Sequence, residues 1–419
     1  MQTSANDKIQ IALIGAGGRG MSDAKTARRI PGVELVAAAD IYDGRLTRSK
    51  ELFGSHIFTT RDHREVLSRK DVDAIIIGTP DHWHSQITKE ALAAGKHVYC
   101  EKPMVHDISE GKSVIEAQQA SGRVLQIGSQ YVSSLVYQKA RELMKAGAIG
   151  ELNMVEAYLD RNTAIGAWQY SIPPDAATSN IDWDRFLGNA PKRPFEPVRL
   201  FRWRNYRDYG TGVAGDLFVH LLSGLHVVTG STGPRRVFAT GGLRFWDDGR
   251  DVPDVMLATM DYPKTAAHPE FTLALRVNFA SGVAEENFGF RFVGSEGVMT
   301  TGFNSVKLSK EPRESEPGFT TGTFPKAMQE KMLEQYRAQY PRKPLTADSI
   351  ASQGETRYTT PGSYDSTLHH HQNFYDSIRN HKPSIEDGVF GLRAAGPALL
   401  TNKSYFEKAV CAWDPETMV

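Results

Sequence analysis

The chain has 419 residues, more than a single hydrophobic core usually serves, so two domains are expected. Its 49 lysines and arginines balance 49 aspartates and glutamates, and a formal net charge of zero gives no field to draw the protein onto phosphate backbones or anionic lipid, so neither nucleic acid nor membrane is an expected partner. Two cysteines, Cys100 and Cys411, are too few for a disulfide framework and match no metal spacing, and no run of 18 apolar residues is present to span a bilayer.

The first ten residues, MQTSANDKIQ, contain no apolar signal core. As written the chain reads as cytoplasmic, and a removed export signal would leave no trace in it. Residues 9–15 (IQIALIG) form a short β-rich apolar run that ends in glycine, and helical composition follows up to Pro31 and Gly32. Residues 33–40 (VELVAAAD), 72–80 (VDAIIIGTP), 97–103 (HVYCEKP) and 123–130 (RVLQIGSQ) repeat the buried-strand pattern. Helical segments ending at Gly95 and Gly122 lie between them. Strands alternating with helices at this spacing predict an α/β unit, a doubly wound parallel sheet of the Rossmann type over residues 1–131.

The sharpest motif is Gly15-Ala16-Gly17-Gly18-Arg19-Gly20, a G-x-G-x-x-G between the first strand and the first helix. Glycine there allows a tight turn, a close approach of backbone to a pyrophosphate and close helix packing, while the helix N-terminus favours the phosphate charge. Asp40 closes the second strand, 20 residues after Gly20, where a carboxylate binds ribose hydroxyls and repels a 2′-phosphate. NAD is therefore the expected cofactor and NADP the less favoured one, although Arg45 is a candidate to tolerate the extra phosphate.

In such folds ligands lie beyond the carboxyl ends of the strands. Thr79 and Pro80 end the stretch at 72–80 and, with His84 after it, are candidate cofactor contacts; Asp81 reads as a helix cap, and His84 reads more readily as helix packing. His82 and His84 diverge on a helix and make a poor metal pair. The next strand runs into Glu101-Lys102-Pro103, an order that suggests a loop delivering side chains to a site.

From Glu151 the pattern changes to strands without regular helices between them: LNMVEAYL, RRVFATGGLRF, DVMLATMDYP, FTLALRVNFA and FGFRFVGSEGVMTTG. An α+β domain over residues 132–419, with a large open and mostly antiparallel sheet, is expected. Residues 161–210 are irregular and rich in aromatics and arginines, and are read in part as a wall of the substrate cleft. Trp168, Arg204 and Tyr206 are its candidate substrate contacts, with Arg202 and Arg207 as further cations. Asp216 and His220 stand four apart in VAGDLFVHLLSGLHVVTG, a spacing that puts a carboxylate and an imidazole on one helix face. Imidazole titrates near neutrality and suits proton transfer, whereas His226 is out of face and reads as packing. Residues 308–365 form a polar insertion containing a helical stretch, PKAMQEKMLEQYRAQY. His369, His370 and His371 follow on a helix, where consecutive side chains point about 100 degrees apart and cannot all ligate one metal. No metal is expected.

GAGGRG, TPDHWHSQITKEALAAGKHVYCEKP, GDLFVHLLSGLH and the tail HQNFYDSIRNHKPSIEDG, in this order along most of the chain, resemble the Gfo/Idh/MocA oxidoreductase family. The resemblance implies a Rossmann domain followed by an α+β domain whose last helices return to the first. It also implies nicotinamide-dependent chemistry on a small carbohydrate and assembly as a homodimer or homotetramer. It further implies a Lys-Pro peptide that is often cis, with Lys102 directed at the substrate hydroxyl, His220 as general base, Asp216 orienting substrate or base, and Glu101 near the lysine or the ribose. The expected reaction is hydride transfer between NAD and a secondary hydroxyl of a sugar, glycoside or polyol, including oxidation at carbon 3 of a glycoside. Alternatives are a glycosidase or sugar–sugar oxidoreductase that recycles a tightly bound NAD, and a non-catalytic NAD-binding sensor. The intact Glu101-Lys102-Pro103 and the Asp216/His220 pair weigh against the glycosidase and the sensor. RNYRDYGTGVAGDLFVH and the terminal WDPETM are similar to members that carry twin-arginine export signals, which implies a periplasmic home if such a signal was removed.

Overall fold

The computed structural model describes residues 8–283, 287–310, 317–341 and 355–418. Six strands form the first sheet: β1 (Ile9–Ile14), β2 (Val33–Ala39), β3 (Phe58–Thr60), β4 (Ala74–Ile77), β5 (His97–Cys100) and β6 (Leu125–Ile127). Their order is β3-β2-β1-β4-β5-β6 and every pairing is parallel. A parallel sheet needs crossover helices on both faces, so its strands are apolar throughout. Ile75, Ile76 and Ile77 are accordingly all buried on consecutive positions of β4. β3 carries only the half-buried sequence FTT, which gives no apolar run and no sequence signal.

The second sheet has nine strands: β7 (Leu152–Leu159), β8 (Arg236–Gly242), β9 (Val255–Tyr262), β10 (Phe271–Asn278), β11 (Phe288–Gly294), β12 (Gly297–Thr301), β13 (Ser305–Lys310), β14 (Glu355–Thr359) and β15 (Cys411–Ala412). Their order is β14-β13-β12-β11-β7-β10-β9-β8-β15, with β7 and β10 the parallel pair in an otherwise antiparallel sheet. Burial alternates along β8, β9 and β10, as expected of a sheet packed on one face. The covered face packs on the helices Val219–Thr229 and Gly388–Glu407 in one core.

Two segments differ from the sequence expectation. FGFRFVGSEGVMTTG is not one strand but the β11–β12 hairpin, which turns at Ser295 and Glu296. The insertion expected at 308–365 is entered by β13 and closed by β14, whose pairing extends the sheet; its helix spans Lys326–Gln339, and residues 311–316 and 342–354 lie outside the described residues.

The helix Ser366–Asn380 packs on the first sheet through the histidine run, each member facing a different partner. His369 Nδ1 lies 3.0 Å from the Tyr364 hydroxyl, and His370 bridges Ser133 Oγ and the Ile127 carbonyl, each at 2.8 Å. His371 stacks on Tyr99 with centroids 4.4 Å apart. Burial pushes His226, His370 and His371 down to about 3, so each stays neutral in the folded protein while its unfolded counterpart titrates near 6.5. The unfolded chain thus binds more protons below about pH 6.5, and stability is expected to be full above that value and to fall as pH drops toward 3. Asp23, raised by burial to about 6, works in the opposite sense between about pH 6 and 3.8 and offsets part of the loss. Urea midpoints measured across this range check the prediction, and a flat profile contradicts it.

Candidate active site

A cleft of about 730 Å³ runs along the carboxyl ends of β1, β2, β4 and β5 and continues under the second domain. Its volume is within the range of cofactor sites. Gly15, Gly17, Gly18 and Arg19 line it, whereas Gly20 serves packing. A methyl on Gly20 would sit 2.1 Å from the Gly15 carbonyl oxygen, and one on Gly15 would sit 2.6 Å from the Gly78 carbonyl carbon, at a backbone φ of +89°. Beside these close approaches, a methyl on Gly18 meets nothing within 4 Å and one on Gly17 meets only the Arg45 guanidinium, at 3.7 Å. The helix Gly18–Ala27 has no side-chain cap, which leaves its first N–H groups for an anion. Gly15→Ala is expected to cost about 1–3 kcal/mol through overpacking and strain, read as a lowered Tm together with loss of NAD binding.

Asp40 also lines the cleft, with Oδ1 accepting from the Tyr42 amide at 3.0 Å and Oδ2 lying 3.5 Å from Arg45. Thr79 and Pro80 form the opposite rim, and Thr79 Oγ1 is buried with no partner among the described residues. Gln130 Oε1, which also lines the cleft, is in the same state. Free acceptors and an uncapped helix around an empty-walled glycine turn fit a dinucleotide diphosphate and its flanking ribose. His84 lies outside the cleft: its Nδ1 is 2.7 Å from the Pro103 carbonyl and its Nε2 is 3.0 Å from that of Thr79. It joins the two loops that meet the cofactor groove, so its effect on the cofactor is indirect.

β5 delivers Glu101 and Lys102 into the cleft, and the Lys102–Pro103 peptide is cis. Glu101 accepts from Arg19 Nε at 2.9 Å, and Arg19 pairs in turn with Asp23 one helical turn on, at 3.0 Å. Burial raises the Glu101 carboxyl while the Arg19 guanidinium opposes that rise. Lys102 Nζ donates to both Asp216 Oδ1 and the Asp216 carbonyl, each at 2.7 Å. Asp216 sits in a π-turn, Ala214–Phe218, that leads into the helix Val219–Thr229. Such turns recur at functional sites because they break the α-helical bonding pattern; here the turn presents both the carbonyl and the carboxylate of one residue to Lys102.

Asp216 Oδ1 also accepts from Arg204 Nε at 3.1 Å. Burial pushes the Asp216 carboxyl up, but Lys102 and Arg204 outweigh it and hold the group far below the usual carboxylate range. Among the described residues Asp216 has no hydrogen bond to His220, and its carboxylate is shared by Lys102 and Arg204. His220 lines the same end of the cleft, edge-on to Tyr131 at 5.4 Å, with Nδ1 buried and unpartnered among the described residues. Burial, and then the Lys102 charge, push its pKa well below 6.5, so the imidazole is neutral and able to accept a proton.

The arginine- and aromatic-rich segment divides. Trp168 is fully buried at φ +64°, its ring edge-on to Phe279 at 4.8 Å, and it backs the cleft without offering a face for a sugar to stack on. Arg204 lies in the cleft over the Trp203 ring, with its Nε given to Asp216. Tyr206 lies outside the cleft, its ring under the Arg199 guanidinium at 4.3 Å. Arg202 donates to the Tyr170 carbonyl and Arg207 covers Phe406, and neither arginine lines the cleft. Around the Lys102 end the cleft is walled by Arg161 and Tyr170 of that segment and by Gln130, Tyr131, Asp160 and Asn287, which no sequence motif singles out. Among the described residues no group of three His, Cys, Asp or Glu side chains is placed to hold a metal, and no helix is long and apolar enough to cross a membrane.

Comparison with known proteins gives two family models: residues 9–129 match the oxidoreductase family, NAD-binding Rossmann fold, and residues 141–409 match the oxidoreductase family, C-terminal alpha/beta domain. Inositol 2-dehydrogenase of Leifsonia xyli subsp. xyli is 28% identical over 264 residues, which cover 57% of this chain and 76% of that protein. The uncharacterized oxidoreductase YrbE of Bacillus subtilis is 32% identical over 151 residues, 36% of this chain; the match spans less than half of the relative, 43% of its length. Among solved structures, levoglucosan dehydrogenase in complex with NADH and levoglucosan superposes with a TM-score of 0.67 at 17% identity, over 97% of this chain and 99% of that one, a likeness of fold.

Proposed function

The chain belongs to the Gfo/Idh/MocA oxidoreductase family, with an NAD-binding Rossmann half and an α/β C-terminal half, and on that premise we propose that it transfers hydride between NAD and a secondary hydroxyl of a sugar, glycoside or polyol. The observation that carries the reading is the convergence of Lys102, Asp216 and His220 at one end of the cleft that begins at the glycine turn. NAD, when bound, supplies the hydride acceptor. Gly17, Gly18 and the uncapped helix would hold its diphosphate, and Asp40 and Thr79 its adenosine ribose and the adjoining groove wall.

His220, neutral and lining the cleft beside Lys102, takes the hydroxyl proton. Lys102, fixed by two bonds to Asp216, places an ammonium where alkoxide charge develops. Arg204 shares the Asp216 carboxylate and so positions the lysine at one remove. The Asp40 carboxylate disfavours a 2′-phosphate, and NAD is preferred to NADP. The polyhydroxylated class of substrate follows the names of the relatives, one for inositol and one for levoglucosan. The test is a panel of polyols, sugars and glycosides incubated with NAD or NADP and followed by nicotinamide absorbance. Reduction of NAD by at least one member supports the reading, and no change with any of them, together with no binding of either cofactor, refutes it.

A further inference from the structure

We propose that the substrate carries a carboxylate and that Arg161 binds it, so that the protein prefers sugar acids to the corresponding neutral sugars. The proposal rests on the oxidoreductase reading above and narrows its substrate class.

Arg161 follows β7, and its main chain is held on both sides: its N–H donates to the Asn278 carbonyl at 2.8 Å, and its carbonyl accepts from Ser281 N at 3.0 Å. The half-buried side chain is fixed as well. Nη1 donates to the Gly166 carbonyl at 2.9 Å, and the guanidinium lies 5.7 Å from the centre of the Phe279 ring. Arg161 lines the cleft together with Lys102 and His220, and its charge reaches both Asp216 and His220. A guanidinium held in one place offers paired donors that match the two oxygens of a carboxylate.

Arg161 differs from the other cations of the cleft in its pairing. Arg19, Arg45, Arg61, Lys102, Arg185 and Arg204 each have a carboxylate within 3.5 Å. Among the described residues Arg161 has none; its neighbour Asp160 gives Oδ2 to Arg276 at 2.9 Å. Lys102 and Arg204 moreover share the one carboxylate of Asp216, and an oxidised nicotinamide ring brings a further positive charge to the same end. A neutral sugar would displace water there and leave the Arg161 charge desolvated without a partner, whereas a carboxylate offsets it. Acceptors for the rest of a sugar acid are present: Asp160 Oδ1 and Gln130 Oε1 are buried, unpartnered among the described residues, and suit hydroxyl donors. The acid group takes no part in the transfer itself. The carbinol C–H bond breaks with its hydride going to the nicotinamide and the hydroxyl proton to His220, as for a neutral sugar, so Arg161 contributes binding and orientation.

The experiment compares acid and neutral partners in the nicotinamide absorbance assay with the full-length protein: glucose with glucuronate, galactose with galacturonate, and methyl glucoside with methyl glucuronide. For at least one pair the acid is expected to have the higher kcat/KM, by about tenfold or more and mainly through KM. Arg161→Gln is expected to lower the ratio of acid to neutral kcat/KM by about 10–100-fold. Arg161→Lys keeps the charge and loses the fork, so a smaller fall in the same direction is expected; it still tests the proposal if the glutamine variant fails to fold, which thermal melts report. A neutral member equal to or better than its acid in every pair, or a ratio unmoved in the folded variants, overturns the carboxylate site while the oxidoreductase reading stands. No reduction of NAD by any acid or neutral compound overturns the carboxylate site, and the oxidoreductase reading falls with it if NAD also fails to bind.

Discussion

Lys102→Ala is expected to lower turnover by about 10²–10³-fold while NAD binding, read by direct titration, is kept. The loss corresponds to one preorganised donor removed from a developing alkoxide. NAD binding survives because Gly17, Gly18, Asp40 and Thr79 stand elsewhere along the cleft. The variant also deprives the buried Asp216 of the nearer of its two cationic partners, so a modest fall in Tm is expected beside the kinetic loss. Turnover equal to wild type would remove Lys102 from the chemistry and leave it as a structural partner of Asp216.

His220→Gln is expected to lower the oxidation rate by about 10²–10⁴-fold, with substrate KM changed less than kcat. A pH profile separates this from a packing defect. A base works only when deprotonated, and burial followed by the Lys102 charge sets the His220 pKa well below 6.5. The wild-type oxidation rate should therefore hold level as pH falls through 6.5 and decline only at lower pH. In Lys102→Ala one of the charges that depress the imidazole is gone, so the acid limb of the remaining activity is expected to move toward 6.5. An acid limb unchanged by that substitution contradicts the electrostatic coupling between the two residues.

The first domain was largely legible from sequence because its signals are local: five of its six strands are apolar runs, and the glycine turn directly joins one of them to a helix. β3 escaped because three half-buried residues carry no pattern. In the candidate site the residue types were legible and their pairing was not. Four-residue spacing suggested that Asp216 and His220 work as a pair on one helix face, but Asp216 lies in a π-turn and spends its carboxylate and carbonyl on Lys102, 114 positions earlier in the chain. Periodicity cannot report a contact at that separation. The same limit explains the segment at 161–210, where an excess of aromatics and arginines suggested a sugar-binding wall. Much of that content packs on itself and on the first domain: Tyr206 under Arg199, Trp183 against Phe186, and Ile181 bridged to Tyr42. Composition marked the segment as unusual, and only the fold shows that its later part faces the cofactor groove.

The most direct test of the account is transfer of label. A substrate found by the absorbance panel is prepared with deuterium on the carbinol carbon, incubated with the protein and NAD in ordinary water, and the nicotinamide is recovered after denaturation for mass spectrometry. Hydride transfer to the cofactor predicts one deuterium on the reduced nicotinamide. Reduced nicotinamide without deuterium, or a converted substrate beside an unlabelled and unreduced cofactor, would contradict it.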